Sequence, residues 1–233
     1  MHHSRARRRT RLTAKALVAL LAVLVGAARA HAADAPKRSD AADPSATAVP
    51  VIDHFHSVLL DVMKNAKTLG LDGRREKLAP ALDATYDFPA MAQRSLATGW
   101  AKLDEPQRER FTAAFRGMTL RTYATRFDGY DNERFETLGE EPSIAGTVIV
   151  RTVLHNSDED VHLDYRLRPT PAGFRVIDVY LSGTVSELAL RRAEYTSVLE
   201  RDGFEALVTA LERKVADSPS SATPSRNSDS RLK

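Results

Sequence analysis

The stretch Phe174–Leu211, FRVIDVYLSGTVSELALRRAEYTSVLERDGFEALVTAL, changes its period in the middle. Up to Leu181 large residues alternate, with Ile177, Val179 and Leu181 as the inner row and Val176 and Tyr180 giving the other face substance too. A period of two predicts a strand. Past Gly183, Thr184 and Glu187 have the spacing of a capping box, and Leu188, Tyr195, Val198 and Leu199 recur at helical spacing. Gly203 breaks that helix, and Phe204, Leu207, Val208, Leu211 and Val215 mark a last one. A strand running into an amphipathic helix predicts an α+β domain, provided that the rest of the chain supplies a sheet and more helices.

It supplies both. "RFETLG", "GTVIVRTVLH" and "VHLDYRLRP" precede the opening strand, joined by "NSDED" and "TPAG", the pattern of an antiparallel meander. Val161, Leu163, Tyr165 and Leu167 alternate with His162, Asp164, Arg166 and Arg168, so one face of that strand is read as wet. Upstream the period is helical. Val51, Phe55, Val58, Leu59 and Val62 share a face from which Asp53, His56, Asp61 and Lys64 point away, and a shorter piece covers about Gly73 to Ala84. Pro89 marks another helix start, with Met91, Leu96 and Trp100 free to pack inward. Asp104, Pro106 and Gln107 open a long helix whose large residues, Phe111 to Phe127, occupy more than one stripe and predict cover on two sides. The expected fold is α+β: an antiparallel sheet of four to five strands with helices on one face.

The ends read differently. Residues 1–32 combine an Arg-rich start, the apolar run "ALVALLAVLVGAA" and Ala30 and Ala32 around His31, which predicts a signal peptide cleaved near Ala32 and export. Residues 33–48 and 217–233, rich in Ala, Asp, Ser and Pro, are read as a disordered lead and tail around one domain at 49–216. The chain carries 34 basic and 31 acidic residues; the leader would remove seven bases and no acids, and 27 minus 31 leaves −4. A mature chain of that charge with no basic stripe argues against nucleic acid. With no cysteine, an exported domain must be held by its core.

Candidate chemistry is sparse. His54 and His56 are two apart on a helix and cannot share a metal, whereas His155 and His162 flank the acidic turn Asp158–Asp160, which reads as a solvated hairpin tip. Ser95, Ser143, Ser182 and Ser186 lack a nucleophile elbow, and glycines occur singly, so no phosphate cradle is present. No catalytic residue, metal ligand or cofactor is expected. Asp178, among apolar neighbours, is read as a cap or a partner of Arg191 or Arg192, and those arginines as a helix face open to water or a headgroup.

The segments "YDFPAMAQRSLATGWAKLDEPQRERFTAAFRGMTLRTYATRF" and "LDYRLRPTPAGFRVIDVYLSGTVSELALRRAEYTSVLERDGFEALVTAL" resemble the MlaC, or toluene-tolerance, family of periplasmic lipid-binding proteins. The part "GTVSELALRRAEYTSVLERDGFEAL" is similar to the hopanoid-biosynthesis-associated HpnM branch. The resemblance implies a carrier that holds the tails of a hopanoid or phospholipid in a cleft between helices and sheet. Its implied partner is an inner-membrane transporter of RND or ABC type, with only transient membrane contact. Candidate lining residues are Phe88, Met91, Phe111, Phe115, Met118, Tyr123, Val150, Leu163, Tyr165, Val179, Leu181 and Val185. Each of these could equally fill a solid core. An enzyme built around Asp178, Tyr165 and a histidine, or an adaptor without a ligand, remain the alternatives.

Overall fold

The computed structural model describes residues 47–216, so the expected signal peptide, nearly all of the expected lead and the expected tail lie outside the described residues. Five helices and a five-stranded antiparallel sheet form an α+β fold. The last residues before the first helix are held in place: Ala48 is buried, and its N–H donates to Glu140 Oε2 at 2.8 Å.

Helix α1 (Val49–Lys64) buries Ile52, Phe55, His56, Leu59, Val62 and Met63. That is a full 3/4 spacing, shifted from the expected stripe at its start. Ile52 replaces the half-buried Val51, and His56 points inward, not to solvent. The reason is the width of the buried face, since α1 packs against both α2 and the sheet. Helix α2 (Ala66–Thr85) is interrupted at Gly70 (φ 62°, ψ −173°) and so runs regularly only beyond it. Its Arg74 is buried and donates from Nε to the Ala124 carbonyl at 2.7 Å and from Nη1 to the Ala66 carbonyl at 3.0 Å. The guanidinium thereby satisfies carbonyls near a helix end and next to a kink, where intrahelical donors run out.

Helix α3 (Phe88–Leu96) starts on Asp87, whose side chain accepts from the Ala90 N–H at 3.0 Å. A 3₁₀ segment (Ala97–Lys102) leads to α4 (Glu105–Arg126), capped by the reciprocal pair Asp104 and Gln107. Helix α4 packs against α2, α3 and α5, the two-sided cover its aromatic residues predict.

The strands follow in chain order as a meander, β1 (Arg134–Pro142), β2 (Val148–His155), β3 (Asp160–Thr170), β4 (Gly173–Leu181) and the two-residue β5 (Val185–Ser186). Val150, Leu163, Tyr165 and Leu167 face the helices as part of the core cluster. A register shift beyond Arg166 pairs Leu167 with Val176, so Val176 joins that cluster with Val179. Ile177, expected in the inner row, is fully buried but outside the cluster, displaced by this bulge. Asp164, expected on the wet face, is also buried, paired to Arg151 Nη1 at 2.7 Å.

Helix α5 (Glu187–Ala216) does not use the expected Thr184/Glu187 capping box. Ser182 (φ 52°) and Gly183 (φ 70°) turn the chain into β5 first, both in the left-handed region as a type I′ hairpin turn demands. Ser186 then caps the helix, its Oγ accepting from the Ala189 N–H at 2.9 Å and donating to Asp178 Oδ2 at 2.7 Å. Asp178 Oδ1 accepts from the Leu188 N–H at 3.2 Å and from its own neighbour Val179 at 2.9 Å. The carboxylate expected to cap or pair with an arginine is therefore a cap.

Two seams join the layers. At the β4 side, Tyr86 bridges Val176, the Asp87 N–H donates to the Val176 carbonyl at 2.9 Å, and Asp87 pairs with Arg168. At the β1 side, Thr137 Oγ1 donates to Asp53 at 2.6 Å. Between the seams the layers enclose a cavity.

Candidate functional site

The cavity holds about 80 Å³ of free space. Its helical wall follows one face of α4, from Phe115 through Thr119, Thr122 and Tyr123 to Arg126, with Phe127 beyond the helix end. Its sheet wall consists of two cross-strand pairs, Leu163 with Leu181 and Tyr165 with Val179. Tyr86, Met91 and the first turn of α5, Glu187, Leu188 and Arg191, close it.

Of the twelve candidate residues, the fold brings seven to this cavity: Met91, Phe115, Tyr123, Leu163, Tyr165, Val179 and Leu181. The other five lie elsewhere. Phe88 stacks on Tyr86 and Phe111 packs edge-on against Tyr195, both in the core. Val150 is a buried neighbour of Tyr165 on β2. Met118 accepts through its sulfur from Tyr195 Oη at 3.4 Å. Val185 is exposed on β5, because the hairpin turn carries it out of the sheet's inner row.

Tyr123 and Tyr165 were candidates, but Tyr86 and the hydrogen bonds among these polar groups were missed by sequence reasoning, as was His56, which backs Tyr165 without lining the cavity. Tyr86 and Tyr123 share a hydrogen bond of 2.5 Å between their hydroxyls, and Tyr165 Oη meets His56 Nε2 at 3.0 Å. Phe55 stands edge-on to all three tyrosine rings. Burial drives the His56 pKa down to about 3, so the imidazole is neutral at ordinary pH, and its Nδ1 has no partner among the described residues. Burial likewise pushes the Tyr123 hydroxyl up to about 12 and those of Tyr86 and Tyr165 well above their ordinary value. None of these four groups changes charge near neutrality. They can donate and accept hydrogen bonds, but they are poorly matched to proton transfer.

Charge enters only at Arg126, Arg191 and Glu187. Arg191 was legible as a question, and the structure separates it from Arg192, whose Nε donates to the Arg94 carbonyl at 3.1 Å. Arg126 was in principle legible as well, since it continues the helical spacing from Phe115 through Thr119, Thr122 and Tyr123. Tyr86 and Glu187 had no such signal. The histidine pair at the hairpin tip resolves into surface bonds, His155 to Asp160 at 2.7 Å and to Glu136 at 2.9 Å. Among the described residues no group of three or more His, Cys, Asp or Glu is placed to hold a metal ion.

Comparison with known proteins meets this geometry. The family model described as MlaC protein matches residues 54–213, every main element of the fold. The chain belongs to the MlaC family. Among solved structures, this MlaC family member is similar to a phospholipid-binding protein from Ralstonia solanacearum in complex with a phospholipid. The two share 22% identity over 73% of this chain and 98% of the other, with a TM-score of 0.66, which establishes a common fold. No curated protein matches the chain. In this MlaC chain the cavity lies where the sheet and the helices part.

Proposed function

We propose that this protein is a periplasmic lipid carrier. It takes the apolar part of a phospholipid or hopanoid between sheet and helices, and shuttles it between inner and outer membranes without transforming it. The observation that carries the reading is an apolar cavity with proton-inert tyrosines, set between two layers of an MlaC fold. Met91, Phe115, Tyr123, Leu163, Tyr165, Val179 and Leu181 would touch the ligand. An inner-membrane transporter of RND or ABC type would load or unload it, the RND type going with the HpnM branch. Export by a signal peptide at residues 1–32 belongs to the same proposal. No helix among the described residues is long and apolar enough to cross a membrane.

The physics of such a carrier is a balance. Burying a chain of about 16 carbons at ~0.8 kcal/mol per methylene gains on the order of 10 kcal/mol over water, and a bilayer offers nearly the same. Transfer therefore needs near-parity with the membrane, not tight binding. The cavity of about 80 Å³ is well below the ~300–1,000 Å³ of ordinary ligand sites, so its walls must separate as a tail enters. Met91, flexible and polarizable, suits a wall that repacks.

Native mass spectrometry of the protein, purified without detergent from a hopanoid-producing host, tests the reading. A stoichiometric lipid is expected, and its identity chooses the branch. A protein that arrives empty and takes up no lipid from vesicles would overturn the carrier and leave the adaptor or enzyme.

A further inference from the structure

Two guanidiniums reach one apolar cavity from different helices, Arg126 from the last turn of α4 and Arg191 from the start of α5. Arg126 makes no ion pair among the described residues. Arg191 Nη1 finds only the weak acceptor Met118 Sδ at 3.4 Å and Tyr195 Oη at 3.5 Å. Its Nη2 forms a long ion pair with Glu187 Oε2 at 3.7 Å, while Glu187 Oε1 is buried with no partner among the described residues. Beside them, the Tyr86–Tyr123 pair engages one of its two hydroxyl protons and leaves the other unspent among the described residues. The lining thus has hydrogen-bond donors in excess and, with two guanidiniums against one carboxylate, one uncompensated positive charge.

We propose that Arg126 and Arg191 make this cavity select a long-chain amphiphile bearing one negative charge, a phosphodiester or a carboxylate, with Glu187 setting the limit at one. The inference rests on the lipid-carrier reading and narrows it, because an uncharged polycyclic hopanoid would leave the positive charge uncompensated. A partly desolvated charge without a counter-charge is costly, and an oxyanion accepts two forked guanidinium donors well. Glu187 holds the site below the charge that a doubly ionised phosphate monoester would match. The free tyrosine proton then meets an oxygen acceptor of the ligand, such as an ester carbonyl.

The alternative is that Arg126 merely complements the carboxyl end of α4, where cations are favoured in any helix. Competition separates the two. The full protein is incubated with vesicles that contain phosphatidylglycerol, the diacylglycerol with the same acyl chains, oleate and diplopterol, and the lipid carried by the protein is counted by native mass spectrometry. Loading of phosphatidylglycerol or oleate over diacylglycerol is expected to fall about tenfold in Arg126→Gln and in Arg191→Gln. The opposite sign is expected in Glu187→Gln, where preference for the anion rises. A far-UV circular dichroism spectrum and a thermal midpoint like those of the wild type in each variant show that the fold survives. Phosphatidylglycerol without oleate assigns the phosphodiester, and the reverse assigns the carboxylate. Equal loading of charged and uncharged lipids, or a ratio indifferent to all three variants, overturns the selectivity while leaving the carrier intact. Failure to load any lipid overturns both.

Discussion

His56 illustrates how one residue couples packing to pH. Its ring stacks on Phe135 at 3.9 Å between centroids, and its Nε2 edge meets Tyr165 Oη at 3.0 Å. Burial lowers its pKa from 6.5 to about 3, so between those values the unfolded chain binds a proton that the fold refuses. The sign follows: this contribution to stability is intact above about pH 6.5 and is lost as pH falls toward 3. Its slope is about 1.4 kcal/mol per pH unit at full effect. Urea midpoints measured from pH 7 to pH 4 should fall more steeply in the wild type than in His56→Gln, which keeps a donor for Tyr165. Parallel curves would show that His56 is not the titrating group. Asp178 makes a second prediction at this scale. Asp178→Ala removes the acceptor for Leu188 N–H, Val179 N–H and Ser186 Oγ at once, and should cost about 1–3 kcal/mol in urea unfolding.

Elements meet here through their ends. Helix α5 is two segments joined at Gly203 (φ 81°, ψ 176°), a conformation essentially reserved for glycine. The kink lets the second segment lie back along α4, where Arg110 pairs with Glu205 at 2.7 Å and with Glu212 at 3.0 Å. Gly203→Ala should therefore destabilise by about 1–3 kcal/mol although nothing within 4 Å obstructs a Cβ, so the loss is one of backbone strain. Thermal unfolding with the variant as stable as the wild type would show that the segments can rejoin as one straight helix. The turn at Ser182 and Gly183 has a similar logic with the opposite sign. Ser182 already adopts φ 52°, and Ser182→Asn, the residue that type I′ turns favour, should raise the thermal midpoint slightly.

At the scale of the molecule, the proposed function requires two layers that are fastened along both sides to part between them. The seams at Val176 and Asp87 and at Thr137 and Asp53 hold the layers, while the walls of the cavity touch only through side chains. Filling the space should thus separate stability from uptake. Val179→Phe puts a ring into the cavity and should leave the thermal midpoint within a few degrees of wild type, since the added volume meets free space. Lipid uptake from vesicles should fall sharply. Undiminished uptake in a folded Val179→Phe protein would place the lipid somewhere other than between β4 and α4. Phe115→Asp and Leu163→Asp should also abolish uptake, at greater risk to the fold, because both side chains are buried in the core cluster.

The α+β class, the meander, the helix breaks at Gly203 and before Pro106 and the two-sided burial of α4 were all determined by the sequence itself. Each depends on local period, capping residues or turn chemistry, which act over a few residues. Seven of the twelve cavity candidates were legible for the same reason, being large apolar residues on inner faces. What tertiary structure alone decided was how the polar groups at and behind the cavity pair with one another. Nothing near His56 in the chain says that its partner is Tyr165, 109 residues on, nor that Tyr86 and Tyr123 meet from different helices. The displacement of Ile177 by a bulge and of Val185 by a hairpin likewise depends on pairing with distant strands. Period specifies which face of an element is apolar. Only the approach of the other layer specifies which of those residues close a solid core and which border a space.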